Sequence, residues 1–579
     1  MFKSCRVALI LLALVVSTPV RAQTAVSVDI NGIDVTLEQN VRLYLSIEQQ
    51  KGNPLMSDGR LRRLHKKAND EISQALQPYG FYRPTINSSL EKTGSGEWLA
   101  SYDIDPGPAL KIGTLNFSVS SPMAEDPAFQ TLLAENPLRQ GDNFSHLAYE
   151  DFKTDMANLS AERGYFLARF ADHRIEIDLE RYEARIYLDY EGGPRFRFGE
   201  VLLQQDVLNT DLVNRYVPFA RGDFYSLGRV LDFQQGLNDS GYFQSVEISP
   251  GKASPDSDEI PIEVALTSRK RNRYQFGLGY GTDTGARTSF GWQRPRVNKR
   301  GHKFDSELRI SQRGYSALAN YRVPVLNPRT DQIVYSVGEI NEEFEDSEST
   351  VRKVGVSLNH GRGAWRETLS LEYQQEDFIA ADDSGSTTLL IPGASWSRTW
   401  GSDFINVFDG LRFDIGLRGA NTALASDIDF YQVQGGLKFI TSLTPRNRII
   451  WRGGFGGTET REFDDLPTSL RFYSGGAHSV RGYAYQSLGP TDADGKVIGA
   501  RYMMYGGVEF EHYFNDRWGL ALFYDVGNAI DDLADSLESG AGFGWRWKSP
   551  VGPVRVDLAN AVSTEDQEWR LHVNIGPDL

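Results

Sequence analysis

Trp518-Gly519-Leu520-Ala521-Leu522-Phe523-Tyr524-Asp525-Val526-Gly527 is the stretch that decides the fold. In an extended chain Trp518, Leu520, Leu522, Tyr524 and Val526 share one face. Gly519, Ala521, Phe523, Asp525 and Gly527 share the other. Three later segments repeat the pattern. Ala541, Phe543, Trp545 and Trp547 oppose Gly542, Gly544, Arg546 and Lys548. Val554, Val556 and Leu558 oppose Arg555, Asp557 and Ala559. Trp569, Leu571, Val573 and Ile575 oppose Arg570, His572 and Asn574. One face is large and apolar, the other small or charged, which suits a lipid-facing exterior and a wet lumen. A soluble sandwich or propeller would have to keep a charged face in solvent on every strand. Upstream, similar segments recur from about Asn272, sixteen in all as far as Gly576, at roughly 19 residues per strand plus loop. The even number returns the chain to the side on which it entered.

Composition agrees with a β-rich chain. Of 579 residues 56 are Gly, above the usual ~7%, and Phe, Tyr and Trp number 31, 26 and 10. The net charge of −16 argues against a nucleic-acid partner, which would want a basic face. The N-terminus reads as a secretory signal over 1–22. Lys3 and Arg6 precede an apolar stretch from Val7 to Val16, and Val20-Arg21-Ala22 fits a cleavage site. That stretch reaches only about 15 Å as a helix, too short to span a bilayer. The one cysteine, Cys5, would leave with the signal, so the mature chain would carry no thiol or disulfide.

Between signal and barrel a short aromatic motif occurs three times: Tyr79-Gly80-Phe81-Tyr82, Arg163-Gly164-Tyr165-Phe166 and Ser240-Gly241-Tyr242-Phe243. A helical pattern precedes each. Ser57 can cap a helix carrying Leu61, Leu64, Ala68, Ile72 and Leu76. Ser145 can cap one carrying Phe152, Met156 and Leu159. Ser226 precedes Val230, Phe233 and Leu237. Each glycine would end the helix and the aromatics would open a strand. Gly107-Pro108 and Gly193-Pro194 mark the junctions. The expected organisation is three α+β modules at 23–109, 110–192 and 193–268, then a 16-stranded antiparallel transmembrane β-barrel at 269–579. The modules resemble POTRA domains, the periplasmic modules of outer-membrane assembly proteins. Their short sheet edges suit pairing with an extended client chain.

One insertion of about 40 residues lies between the segments ending near Thr458 and starting near Ala500, a length usually reserved for function. It holds Arg471-Phe472-Tyr473-Ser474-Gly475-Gly476-Ala477-His478-Ser479-Val480-Arg481-Gly482-Tyr483. This resembles the Val-Arg-Gly-Tyr loop of the outer-membrane assembly and secretion superfamily that includes BamA and TamA. The resemblance implies that the loop (Val480, Arg481, Gly482, Tyr483) folds into the lumen. Its Arg would pair with the acid of a Phe-x-Asp-x-Gly element, here Phe523, Asp525 and Gly527. The alternation alone already puts Asp525 on the lumen face, where a guanidinium can bind it bidentately. The block from Gly542 to Asp557 is also similar to that family's C-terminal strands. Three modules fit TamA-type members better than those with five or two. A family barrel commonly ends in an aromatic residue, whereas this chain ends Ile575-Gly576-Pro577-Asp578-Leu579.

Catalytic signals are missing. The eight His residues have no metal-ligand spacing, and no nucleophile elbow or phosphate loop occurs. Asp492-Ala493-Asp494-Gly495 has Met503 where a calcium loop needs Glu, so a surface turn is expected. Neither enzyme activity, cofactor nor metal is expected. Gly277, Gly279 and Gly281 in the first barrel strand read as positions that weaken pairing and permit bending. The resemblance implies a seam between that strand and the last one (Trp569, Leu571, Val573, Ile575). It further implies an outer-membrane site with periplasmic modules, unfolded outer-membrane protein clients paired at the seam and released into outer-membrane lipid, and an inner-membrane-anchored TamB-like partner. Alternatives are a two-partner-secretion-type transport pore and phospholipid traffic to the outer membrane.

Overall fold

A computed structural model describes residues 25–575, except 95–96, 255, 282–284, 344–346, 382, 402–406, 550–551 and 565–567. The signal-peptide reading of 1–22 and the terminal Gly576 to Leu579 lie outside the described residues. The chain divides into two compact units. One comprises Met1–Glu200, Ala220–Arg229 and Pro250–Pro261. The other comprises Val201–Phe219, Val230–Ser249 and Ile262–Leu579.

Three small sheets share one plan. The first holds β1 (Val26–Asn31), β2 (Thr85–Lys92) and β3 (Trp98–Asp105), in the order β1-β3-β2. β1 is parallel to β3 and β2 antiparallel to it. Helices α1 (Val35–Tyr44), α2 (Ser46–Gln49) and α3 (Asp58–Leu76) connect β1 to β2. The second holds β4 (Lys111–Val119), β5 (Arg169–Asp178) and β6 (Glu183–Glu191), with α4 (Pro127–Ala134) and α5 (His146–Arg163). The third holds β7 (Arg197–Gln204), β8 (Phe243–Pro250) and β9 (Glu259–Ser268), with α6 (Thr210–Asn214) and α7 (Leu227–Asp239).

The expected caps form. Ser57 Oγ accepts from Arg60 N, and Ser145 Oγ from Ala148 N, both at 3.3 Å. Each spares one helix-end donor from being orphaned. Leu61, Ala68, Ile72 and Leu76 bury one stripe of α3; Phe152 and Met156 do so on α5, and Val230, Phe233 and Leu237 on α7. Leu64 and Leu159 pack at the margins.

The aromatic motif does more than end a helix. Gly80 adopts φ +87, and a Cβ there would lie 2.2 Å from Phe144 O in the next module. The close approach is used: Leu110 N donates to Gly80 O at 2.9 Å. Gly164 repeats this at φ +87, with Phe196 N donating to its carbonyl at 2.9 Å. In the third copy Tyr242 OH donates to Gly301 O at 2.6 Å. The recurring motif is thus a joint as well as a terminator, which no single-helix pattern discloses.

The barrel sheet is a meander of sixteen antiparallel strands in sequence order. They are β10 (Arg273–Gly281), β11 (Gly285–Arg294), β12 (Lys303–Ser311), β13 (Gly314–Pro324), β14 (Gln332–Glu343), β15 (Ser347–Arg362), β16 (Trp365–Ala380) and β17 (Asp383–Gly401). Then follow β18 (Gly410–Ala420), β19 (Phe430–Thr444), β20 (Asn447–Thr460), β21 (Tyr502–Tyr513), β22 (Trp518–Ile530), β23 (Glu538–Ser549), β24 (Gly552–Ala561) and β25 (Trp569–Ile575). On β22, Gly519, Ala521, Phe523 and Asp525 are buried while Leu520, Leu522 and Tyr524 are exposed, as the alternation requires. β10 and β25 come within 8 Å of each other. Among the described residues no hydrogen-bonded ladder joins them.

The glycines of β10 do not interrupt its ladder with β11, which runs unbroken from Arg273 to Gly281. At Gly277 and Gly279 the missing side chain is replaced from across the pair. A Cβ on Gly277 would lie 2.5 Å from Ser289 Oγ, and one on Gly279 2.9 Å from Arg287 Nε. The expected weakening is therefore not a break in register.

Candidate functional site

The 461–501 segment joins β20 to β21 and folds against lumen-facing side chains. Register explains why there is room. Asp525 on β22 stands opposite Gly507 on β21 and Gly540 on β23, and Asp557 on β24 stands opposite Gly544. A Cβ on Gly540 would lie 1.8 Å from Arg481 O, so the wall is thinned where the loop backbone passes.

Arg481 is 3% exposed. Its Nε donates to Asp525 Oδ2 at 2.7 Å and its Nη2 to Oδ1 at 3.1 Å, a bidentate pair. Its Nη1 reaches Glu509 at 2.6 Å and Asp557 at 3.1 Å. The guanidinium carbon lies 3.4 Å from the centre of the Phe523 ring, so Phe523 supplies a cation–π floor. Arg452 also reaches Asp525, at 2.7 Å, and donates to the loop carbonyls of Ala477 and Ser479. Arg546 bonds Glu509 at 2.6 Å, Glu511 at 2.9 Å and Asp557 at 2.5 Å. Arg448 closes on Glu511 at 2.6 Å. Four arginines thus meet four carboxylates. Arg452 is partly buried and the other seven groups are buried; the desolvation cost is offset only because each finds opposite charge and hydrogen bonds.

The rest of the tip is also seated. Val480 is fully buried beside Ala561. Gly482, at φ +102, would place a Cβ 2.8 Å from Asn560 C, and its N–H donates to His572 Nε2 on β25 at 3.1 Å. Tyr483 OH donates to Glu538 at 3.0 Å and lies 2.9 Å from Ser563 Oγ.

The structure therefore brings Val480, Arg481, Gly482, Tyr483, Phe523 and Asp525 together. Gly527 follows on β22, where a Cβ would meet Tyr505 Cβ at 2.5 Å; its role is strand packing. Gly277, Gly279 and Gly281 lie on β10, and Trp569, Leu571, Val573 and Ile575 on β25, apart from this cluster. Trp569, Leu571 and Ile575 are exposed on its apolar face. Sequence reasoning missed Arg448, Arg452, Glu509 and Glu511. The signal was available as charge at alternate positions of β20 and β21. The alternation puts Arg546 and Asp557 on the lumen face and names no partner for them. Among the described residues no group of His, Cys, Asp and Glu is arranged to hold a metal ion.

A family description, Omp85 superfamily domain, matches residues 262–578, and POTRA domain TamA domain 1 matches 27–106. The chain is 23% identical over 485 residues to outer membrane protein assembly factor BamA of Nitratidesulfovibrio vulgaris, covering 79% of this chain and 60% of that protein. It is 21% identical over 466 residues to BamA of Neorickettsia risticii, covering 73% and 60%. It thus spans 60% of the length of these curated relatives. The crystal structure of BamA from Haemophilus ducreyi lacking POTRA domains 1–3 superposes with a TM-score of 0.68 at 16% identity, covering 80% of this chain and 98% of that one.

Proposed function

The chain belongs to the Omp85 superfamily, and on that premise we propose that it is an outer-membrane assembly factor that inserts barrel and autotransporter proteins through the β10–β25 seam. The observation that carries this reading is the bond from Gly482 N to His572 Nε2. It ties the tip of the lumenal loop to the last strand, so loop position and seam are mechanically linked. The seam edges are templates: an unladdered strand offers a row of N–H and C=O groups to an incoming strand. A client strand pairs with β10, and later client strands add to the first. Each new ladder replaces water-exposed backbone by hydrogen bonds that lipid demands. Client folding supplies the free energy. The octet of charges holds β20 to β24 as one rigid wall while the seam works.

The modules lie in the periplasm and receive unfolded clients along their exposed sheet edges, such as β2. The match of 27–106 to POTRA domain TamA domain 1 supports a TamA-type role with an inner-membrane-anchored TamB-like partner at the first module. Val480 to Tyr483 with Phe523 and Asp525 act as the loop anchor, and no covalent chemistry is assigned to them.

The test is assembly of a radiolabelled client barrel in liposomes holding the purified protein, scored by protease resistance, with Arg481→Ala alongside. Faster client folding that depends on Arg481 is expected. Absence of acceleration refutes the insertase reading and turns attention to pore conductance and lipid transfer.

A further inference from the structure

The loop has a second attachment, and it rests on a buried carboxylate that the anchor does not use. Glu376 on β16 is fully buried. Among the described residues it forms no ion pair. Instead it collects neutral donors. Its Oε1 accepts from Ser349 Oγ at 2.9 Å, Thr468 Oγ1 at 3.3 Å and Ser469 N at 3.0 Å. Its Oε2 accepts from Gln374 Nε2 at 2.8 Å and from Ser469 Oγ. Three of these five donors belong to the loop, in the short helical turn Thr468–Leu470. A charged acceptor strengthens each such bond roughly twofold over a neutral one. Arg418 and Arg471 attract this carboxylate from beyond ion-pair distance, and the five donors replace the water it has lost.

Neighbouring bonds reinforce the same place. Thr387 Oγ1 on β17 donates to Asp465 O at 3.0 Å, and Gln432 Nε2 on β19 donates to Leu470 O at 2.8 Å. Arg471 ties both arms of the loop, donating to Leu466 O and Asp464 O at 2.7 Å and to Ile498 O at 2.9 Å. The root of the loop is thus bound to β16, β17 and β19, with Ser349 of β15 bracing Glu376. Its tip is bound to β20, β21, β22, β23, β24 and β25. The two sets of strands do not overlap.

We propose that Glu376 is a positioning residue that clamps the loop root to the β15–β19 wall, so that release of the Arg481 tip lets the loop pivot and not leave the lumen. This rests on the reading of the loop as the element that works the seam. With the root held, a freed tip returns to the same carboxylates. With the root lost as well, the segment has no fixed point between β20 and β21.

The test uses the full chain in liposomes. Cys5 is replaced by Ser, and spin labels are placed at Asp464→Cys on the loop and Arg313→Cys on the β12–β13 turn. Electron paramagnetic resonance reads their distance. Wild type and Arg481→Ala are expected to share one narrow distance, and Glu376→Ala to lose it. Glu376→Gln is expected to keep it, because its amide oxygen still accepts from Ser469 N, Thr468 and Ser349. If Glu376→Ala does not fold, Thr468→Val with Ser469→Ala removes the loop donors and leaves the carboxylate, with the same loss expected. A narrow distance unchanged in the folded Glu376→Ala or Thr468→Val/Ser469→Ala protein overturns the clamp. Loss of the narrow distance together with wild-type client assembly upholds the clamp and overturns the role given to the loop in assembly.

Discussion

Replacing Arg481 by Ala is the perturbation whose consequence the structure sets most tightly. The change removes the bidentate pair with Asp525 and the bonds to Glu509 and Asp557. Breaking a buried ion pair from one side costs about 3–5 kcal/mol, because the remaining charge is stranded. Here no carboxylate is fully stranded: Asp525 keeps Arg452, and Glu509 and Asp557 keep Arg546. The lower end applies, about 3 kcal/mol, or on the order of 100-fold in the docking equilibrium of the tip. A reporter follows from the burial of Val480. In a Cys5→Ser background, Val480→Cys substitutes a small apolar residue and offers a thiol that reacts only when the tip undocks. Maleimide labelling should accelerate on the order of 100-fold with Arg481→Ala. Asp525→Asn should accelerate it less, since Arg481 then keeps Glu509 and Asp557. The double variant should be no faster than Arg481→Ala, because the two residues share one interaction. Labelling unchanged by Arg481→Ala, or rates that multiply in the double variant, would refute the reasoning.

Other expectations are independent of that one. Gly482→Ala combines a left-handed backbone with a Cβ 2.8 Å from Asn560 C, whereas Gly495→Ala, also at positive φ, meets nothing within 4 Å. Client assembly should fall with the first and be nearly retained with the second, in the same liposome assay. Arg546→Met removes one cation from Glu509, Glu511 and Asp557, which keep Arg481 and Arg448, and should lower barrel stability by about 3 kcal/mol, read as the heat needed to unfold it on a gel. Gly80→Ala should loosen the joint between the first two modules, where its Cβ would strike Phe144 O, and make that joint sensitive to protease. Burial holds the imidazoles of His65 and His146 below their usual value of 6.5, with Glu150 partly opposing this at His146. A base with a lowered folded pKa contributes stability present above 6.5 and lost as pH falls toward the folded value. Urea resistance of the modules should therefore decline from pH 7 to pH 5, and His65→Gln should reduce that slope.

The barrel was legible because a period of two needs no tertiary information. Trp518 to Gly527 announces its two faces from side-chain chemistry, and lipid outside with water inside is the environment that rewards it. The helices of the modules were legible for the same kind of reason, since Ser57 with Leu61, Ala68 and Ile72 is a local cap and a local stripe. The motif glycines announce helix ends by their type and place, but not joints. Gly80 bonds Leu110 and lies against Phe144, both brought there by a fold and not by spacing.

Residue pattern alone thus determined the strand alternation, the repeat of the modules, and the lumen facing of Asp525, Arg546 and Asp557. The resemblance of Val480 to Tyr483 added the expectation of an Arg481–Asp525 pair. Tertiary structure alone decided that Arg452, Glu509, Glu511 and Arg546 complete a neutral octet, that Gly540 thins the wall for the loop, and that Glu376 holds the loop root 93 residues away in sequence. Local periodicity is written in neighbouring residues. Charge pairing depends on strand register and on where a long loop lands, and those are set only when the whole sheet closes around its lumen.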